Sequence, residues 1–206
     1  MCNVSVCTHP QVDLVFVLDA SGSVKADNFD KMKDFVKNFL SDADVDGGSV
    51  RVGVNVYSTG SKIEFNLNEH DKKDDMFKAI DAIKYQAGWT NTASGLEKMR
   101  KKMFTFAAGD RPNVDNVAIV LTDGQSNINA KNTIPKADKA RNEGIHIYAI
   151  GIGLSDTKEL EGIANKPSRD NQFAIDDFDE LDGLEKQVFA AVCGKINVVF
   201  VKYYLL

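Results

Sequence analysis

The segments Val15-Phe16-Val17-Leu18 and Val117-Ala118-Ile119-Val120-Leu121 are apolar at every position. A strand with one wet face alternates apolar and polar residues, so an unbroken apolar run needs cover on both faces, as in a parallel sheet packed between helices. The first run extends back to Leu14, and further strand-like runs are Val50 to Tyr57, Lys62 to Leu67, Ile145 to Ile150 and Gln172 to Ile175. Segments of helical period lie between them: Ala26 to Leu40, Asp74 to Tyr85, Ala93 to Phe104, Ile134 to Asn142, Thr157 to Ala164 and Phe178 to Val192. In the first of these, Phe29, Met32, Phe35, Val36 and Phe39 draw one apolar stripe, with lysines and aspartates opposite. This alternation predicts an α/β fold, a doubly wound, mostly parallel six-stranded sheet with helices on both faces. The short link through Ser58, Gly60 and Ser61 permits only a hairpin, so one edge strand is expected to run antiparallel. The patterned sequence predicts one domain over residues 12–193, preceded by an N-terminal segment (1–11) and followed by a tail (194–206).

Open α/β sheets take ligands beyond the carboxyl ends of their strands, where strand order reverses. The first run ends there in Asp19-Ala20-Ser21-Gly22-Ser23. Alternate residues of an extended segment point the same way, so Asp19, Ser21 and Ser23 converge while small Ala20 and Gly22 stand aside. The run Val117 to Leu121 ends likewise in Thr122-Asp123-Gly124. Two aspartates at neighbouring strand mouths repel unless a positive charge lies between them, and a divalent cation supplies it. Magnesium, with manganese or calcium as alternatives, takes oxygen ligands and keeps some of its waters. The loop Gly88-Trp89-Thr90-Asn91-Thr92 offers further hydroxyls. Two carboxylates balance the charge of a dication and leave a position for a ligand's own carboxylate.

Taken together, Asp19-Ala20-Ser21-Gly22-Ser23, Thr90 within Gly88 to Thr92, and Asp123 within Leu121 to Gly124 resemble the metal-ion-dependent adhesion site of von Willebrand factor type A domains. The resemblance runs in order and spacing from about Val12 to Cys193. It implies that Ser21, Ser23 and Thr90 offer hydroxyls to the metal, that Asp19 and Asp123 act directly or through water, and that Thr90 rather than Thr92 is the loop ligand. Collagen-binding integrin inserts of this family carry an extra short helix for which Gly151 to Thr157 leaves no room. The chain is more similar to the extracellular-matrix group, with the matrilin, type VI collagen and mussel byssal thread matrix protein domains. A secreted, noncatalytic adhesion or matrix-scaffolding module is therefore expected, binding collagen or another matrix protein through the cation. The alternative is a structural matrix module whose partner surface lies away from the metal.

Singly, these motifs have plainer explanations. Ser23 suits an N-cap, Thr92 a cap for the helix at Ala93, and Asp123-Gly124 a turn. Their joint placement at strand mouths is what argues for a site. An enzyme of the haloacid-dehalogenase class needs a second acid where this chain has Ser21, and His9, His70 and His146 adjoin no nucleophile motif. Gly151-Ile152-Gly153 lacks the third glycine of a dinucleotide fingerprint. Asp42-Ala43-Asp44-Val45-Asp46-Gly47 starts like a calcium loop but would end on Gly53 instead of a glutamate, which favours an acidic turn. The acidic run Asp176 to Glu180 reads as a helix start.

A net charge of -5 argues against a broad grip on nucleic acid or anionic lipid. No run reaches the roughly 20 apolar residues of a membrane helix, so membrane insertion is not expected. Met1-Cys2-Asn3 lacks the start of a secretory signal, and any export sequence is expected to be missing or already removed. Cys7 and Cys193 bracket the patterned sequence and are expected to form a disulfide joining the ends of the domain, the other reading being two unrelated thiols. Cys2 is left over, and Asn3-Val4-Ser5 fits a glycosylation acceptor. A tethered last helix implies a damped response to ligand. The tail, with Val198-Val199-Phe200-Val201, is expected to be an added edge strand, the first strand of a following domain or an unrelated terminus, and a candidate for self-association.

Overall fold

The computed structural model describes residues 11–203, and the side-chain surroundings of residues 11–194. Its strands are β1 (Val12–Asp19), β2 (Val50–Tyr57), β3 (Ser61–Phe65), β4 (Asp115–Thr122), β5 (His146–Ile152) and β6 (Gln172–Ile175). They form one six-stranded sheet in the order β3-β2-β1-β4-β5-β6. Every neighbouring pair is parallel except β2 with β3, the expected hairpin. Strand order reverses between β1 and β4, so the mouth beyond their carboxyl ends is the crevice of the sheet.

The helices are α1 (Ala26–Ser41), α2 (Lys73–Asp81), α3 (Thr92–Lys98), α4 (Ala130–Asn142), α5 (Lys158–Ile163) and α6 (Leu181–Tyr203). Residue parity in the central strands explains the unbroken apolar runs. Leu14, Phe16 and Leu18 of β1, with Val117, Ile119 and Leu121 of β4, join a core with Phe29, Met32, Phe35, Val36 and Phe39 of α1 and Val188 of α6. Val15, Val17, Ala118 and Val120 point the other way, into a core with Leu96, Met99, Ala137 and Leu160. Each fully buried side chain of this size contributes about 1.5–3 kcal/mol of transfer free energy, so neither face tolerates a polar residue without a partner.

Asp13 breaks the first apolar run, and its burial has a specific partner. Arg111 Nε and Nη2 lie 2.7 Å from Asp13 Oδ1, and the Arg111 N–H donates to Oδ2 at 2.6 Å. The same guanidinium donates to the carbonyls of Val12, Gly48 and Ser49 at 2.8–3.0 Å. This clamp closes the end of the sheet opposite the β1–β4 mouth.

Two helix expectations need correction. The segment Ala93 to Phe104 is not one α-helix: α3 ends at Lys98 and Met99–Met103 form a π-helical turn. The last helix begins with a short 3-10 turn at Phe178–Glu180, breaks at Asp182 and Gly183, and runs to Tyr203. The tail therefore includes no added edge strand as far as Tyr203. Extending a formed helix adds a backbone hydrogen bond per residue, whereas a strand needs an edge to pair with, and this outweighs the β-branched composition of Val198 to Val201.

Candidate functional site

The mouth is built from three loops. β1 carries the chain into Asp19 and the turn holding Ser21 and Ser23, Thr90 stands in the loop before α3, and β4 ends immediately before Asp123. Ser23 Oγ donates to Asp123 Oδ1 at 2.8 Å and lies 3.2 Å from Ser21 Oγ, so the first and third loops meet through side chains. The Gly22 N–H donates to the Gly88 carbonyl at 2.8 Å, which joins the first loop to the second. A Cβ on Gly22 would stand 3.2 Å from that carbonyl oxygen, so a larger residue would press the loops apart. The structure thus brings Asp19, Ser21, Ser23 and Asp123 together and sets Thr90 in the loop beside them.

Asp19 is buried and richly supplied with donors. Its carboxylate accepts from the Ser21 N–H at 2.8 Å, Thr122 Oγ1 at 2.9 Å and Tyr57 OH at 3.2 Å. Burial nevertheless pushes its pKa up to about 6, bonds from Ser21 oppose the rise, and the nearby Asp123 charge adds to it. Burial raises Asp123 as well, against the bond from Ser23. Tyr57 is pushed far up, first by its burial and then by the Asp19 charge, so it keeps its proton and donates. Both acids would be relieved by a nearby cation. Among the described residues no three His, Cys, Asp or Glu side chains group to hold a metal, so hydroxyls would have to complete any ligand set. Oxygen donors without nitrogen or sulfur suit a hard divalent cation, and Asp19, Ser21, Ser23, Thr90 and Asp123 are chemically fit to hold one.

The plainer explanations fare unevenly. Ser23 does not cap α1: Lys25 precedes that helix at φ 66 with no side-chain cap. Thr92 does not cap α3 either, since Asn91 accepts the Ser94 N–H at 3.2 Å, while buried Thr92 lies 2.8 Å from Ser126 Oγ. Asp123-Gly124 is a turn, tied by the Gly124 N–H donating to Thr122 Oγ1 at 3.3 Å. Elsewhere, Asp44 accepts from the Gly47 N–H and Ser49 Oγ, and Asp46 accepts from the Lys73 N–H, which makes the calcium-like sequence an acidic turn. Asp177 accepts the Asp179 N–H at the start of the last helical segment. His146 Nε2 lies 2.6 Å from Asn171 Oδ1, a structural contact away from the mouth. Cys193 lies on α6, and its expected partner Cys7, with Cys2 and Asn3, falls outside the described residues.

Several residues that shape the site were not singled out from the sequence. Tyr57 ends β2 in register with Asp19, so a third strand delivers a polar group to the same mouth, a signal the strand boundaries did contain. Asn127 accepts the Thr90 N–H and carries no comparable signal. Trp89, 62% exposed, stands beside Thr90, and its N–H donates to Thr59 Oγ1 at 3.1 Å.

The family model described as von Willebrand factor type A domain matches residues 13–187. The collagen alpha-4(VI) chain of Mus musculus is 31% identical over 94% of this chain and 8% of its own length. Matrilin-2 of Mus musculus is 34% identical over 93% of this chain and 20% of its own. Proximal thread matrix protein 1 from the mussel byssus has a solved structure with a TM-score of 0.83 and 33% identity, covering 89% of this chain and 48% of that one. A further structure of that byssus protein, 32% identical at a TM-score of 0.83, is described as having a zinc-occupied MIDAS motif. The chain thus spans less than half the length of each of these relatives.

Proposed function

Because the chain belongs to the von Willebrand factor type A domain family, we propose that residues 12–193 form a noncatalytic adhesion or matrix-scaffolding module that grips a protein ligand, such as collagen, through a divalent cation. Its relatives place it in the secreted extracellular matrix. Asp19, Ser21, Ser23, Thr90 and Asp123 would hold the cation, with magnesium the first candidate and manganese or calcium the others. When bound, the cation supplies positive charge to which a glutamate or aspartate of the partner adds its carboxylate. The observation that carries this reading is the placement of Asp19 and Asp123 on adjacent strand ends at the sheet's reversal point, both raised by burial and with Ser23 donating to Asp123. The zinc described in the byssus relative supports a metal at such a motif.

The protein's own residues divide the work. Tyr57 and Thr122 orient Asp19 from below, and Ser23 orients Asp123. Gly22 and Gly88 hold the Thr90 loop against the first turn.

The test is a magnesium and calcium titration run beside a panel of collagens and matrix proteins, with and without EDTA. Asp123→Ala is expected to weaken cation affinity at least about 10-fold and to abolish EDTA-sensitive ligand binding. Ligand binding that survives both EDTA and Asp123→Ala would sink this reading and place the partner surface away from the metal. We also propose a Cys7–Cys193 bridge joining the ends of the domain and tethering α6.

A further inference from the structure

Thr90 and Asp123 come from distant parts of the chain, and a two-residue step holds them together. The Thr90 N–H donates to Asn127 Oδ1 at 2.8 Å, and the Thr90 carbonyl accepts from the Asn127 N–H at 2.9 Å and the Ile128 N–H at 3.1 Å. Both main-chain polar groups of Thr90 therefore end on the loop that leaves Asp123. That loop is itself pinned one residue earlier. Ser126 Oγ lies 2.8 Å from each of Thr92 Oγ1, Thr133 Oγ1 and Glu159 Oε1, and the Ser126 N–H donates to Glu159 Oε1 at 2.8 Å. Ser126, Thr92 and Thr133 are buried, so this node is fixed from α3, α4 and α5 at once.

We propose that Asn127 is a positioning residue for the cation site: its side-chain carbonyl sets where the Thr90 hydroxyl stands relative to Asp123, so cation affinity depends on a side chain that is not a ligand. The proposal rests on the metal reading of the preceding subsection. Asn127 is an exposed residue. Water can therefore take the place of Oδ1 when the side chain is removed, and the fold survives. A mobile water does not fix the orientation of the Thr90 peptide, and what suffers is the placement of the hydroxyl. Groups that orient metal ligands in this way typically change metal affinity by about 10- to 100-fold when lost.

The experiment measures manganese affinity by calorimetry on wild type, Asn127→Ala, Asn127→Asp, Thr90→Val, the Asn127→Ala/Thr90→Val double variant and Asp123→Ala, each shown folded by circular dichroism. Asn127→Ala is expected to bind about 10-fold more weakly, and Asn127→Asp, which keeps an acceptor, to bind at least as tightly as wild type. In the Thr90→Val background Asn127→Ala should cost little more, because the hydroxyl it positions is already gone. Affinity of Asn127→Ala within twofold of wild type, or a full additional loss in the Thr90→Val background, overturns the positioning role. A wild type that binds no manganese, or binds it regardless of Asp123→Ala, instead removes the metal reading itself, and the role of Asn127 with it.

Discussion

Gly88 is the residue on which the second loop turns. Its φ of +100° lies where L side chains are rare, its carbonyl accepts from Gly22, and a Cβ there would come 2.6 Å from Thr59 Oγ1, the acceptor for Trp89. Gly88→Ala must strain the backbone or displace Thr59. We expect a loss of about 1–2 kcal/mol, read as a lower urea midpoint, together with a changed emission of Trp89. Trp89 is the chain's single tryptophan, so its fluorescence reports this loop alone. An unchanged midpoint and spectrum would show that the loop relaxes freely. At this scale the sequence is informative where an apolar run ends, which marks Asp19 and Asp123. Alternation does not aim Ser21 and Ser23 as expected, because the extended backbone stops at Asp19 and a turn, closed by the Val24 N–H donating to the Ser21 carbonyl, carries them. Thr90 rests on a family resemblance, because nothing local separates it from Thr92. Tyr57 and Asn127 act across 38 and 37 residues of sequence, on Asp19 and Thr90 respectively, and contacts of that range leave no local pattern.

Between elements, Glu97 ties α3 to its neighbours. Its carboxylate lies 2.6 Å from Lys101 Nζ and 2.7 Å from Lys136 Nζ on α4. Hydrogen bonding from Lys101 and then Lys136 lowers its pKa from 4.5 to about 2. A carboxylate lowered in the folded state adds stability above its unfolded pKa, and that stability is lost as pH falls through the folded value. Glu97→Gln should therefore melt slightly below wild type at pH 7, by about 1–2 °C for a solvent-screened pair. The gap should close between about pH 4.5 and pH 2. A gap that persists at pH 2 would assign the effect to packing rather than charge. Helix boundaries were less legible than strands for a related reason. Leu96, Met99 and Met103 stay on one buried face whether the turn after Lys98 is α or π, so the apolar period cannot report the change. At the far end, Gly183 at φ 95° breaks the last helix without interrupting its apolar pattern. The tail ran against its composition because β-branched residues express their strand preference only where a sheet edge receives them.

For the whole molecule, the sheet and its two cores were readable because continuous apolar runs require two covers. The Asp13–Arg111 clamp was not, since a buried acid in a strand names no partner. Among the described residues no helix is long and apolar enough to cross a membrane. The proposed Cys7–Cys193 bridge would close nearly the whole chain into one loop, which in the chain-entropy picture stabilises by about 5 kcal/mol. Reduction should then lower Tm by roughly 10 °C, and non-reducing peptide mapping should recover the two cysteines in one fragment pair. Separate recovery of the two peptides would remove the bridge. β1 occupies the middle of the sheet, in register with β2 over Val12–Asp19 and with β4 over Val12–Leu18. A pull along β1 loads both ladders in shear, where many bonds must fail together, while a pull that lifts α6 from its face parts contacts turn by turn. Tension on an unbridged chain would therefore peel α6 first and reach the sheet last. With Cys7 joined to Cys193 the same tension would pass through the covalent link, leaving the mouth between β1 and β4 mechanically unloaded.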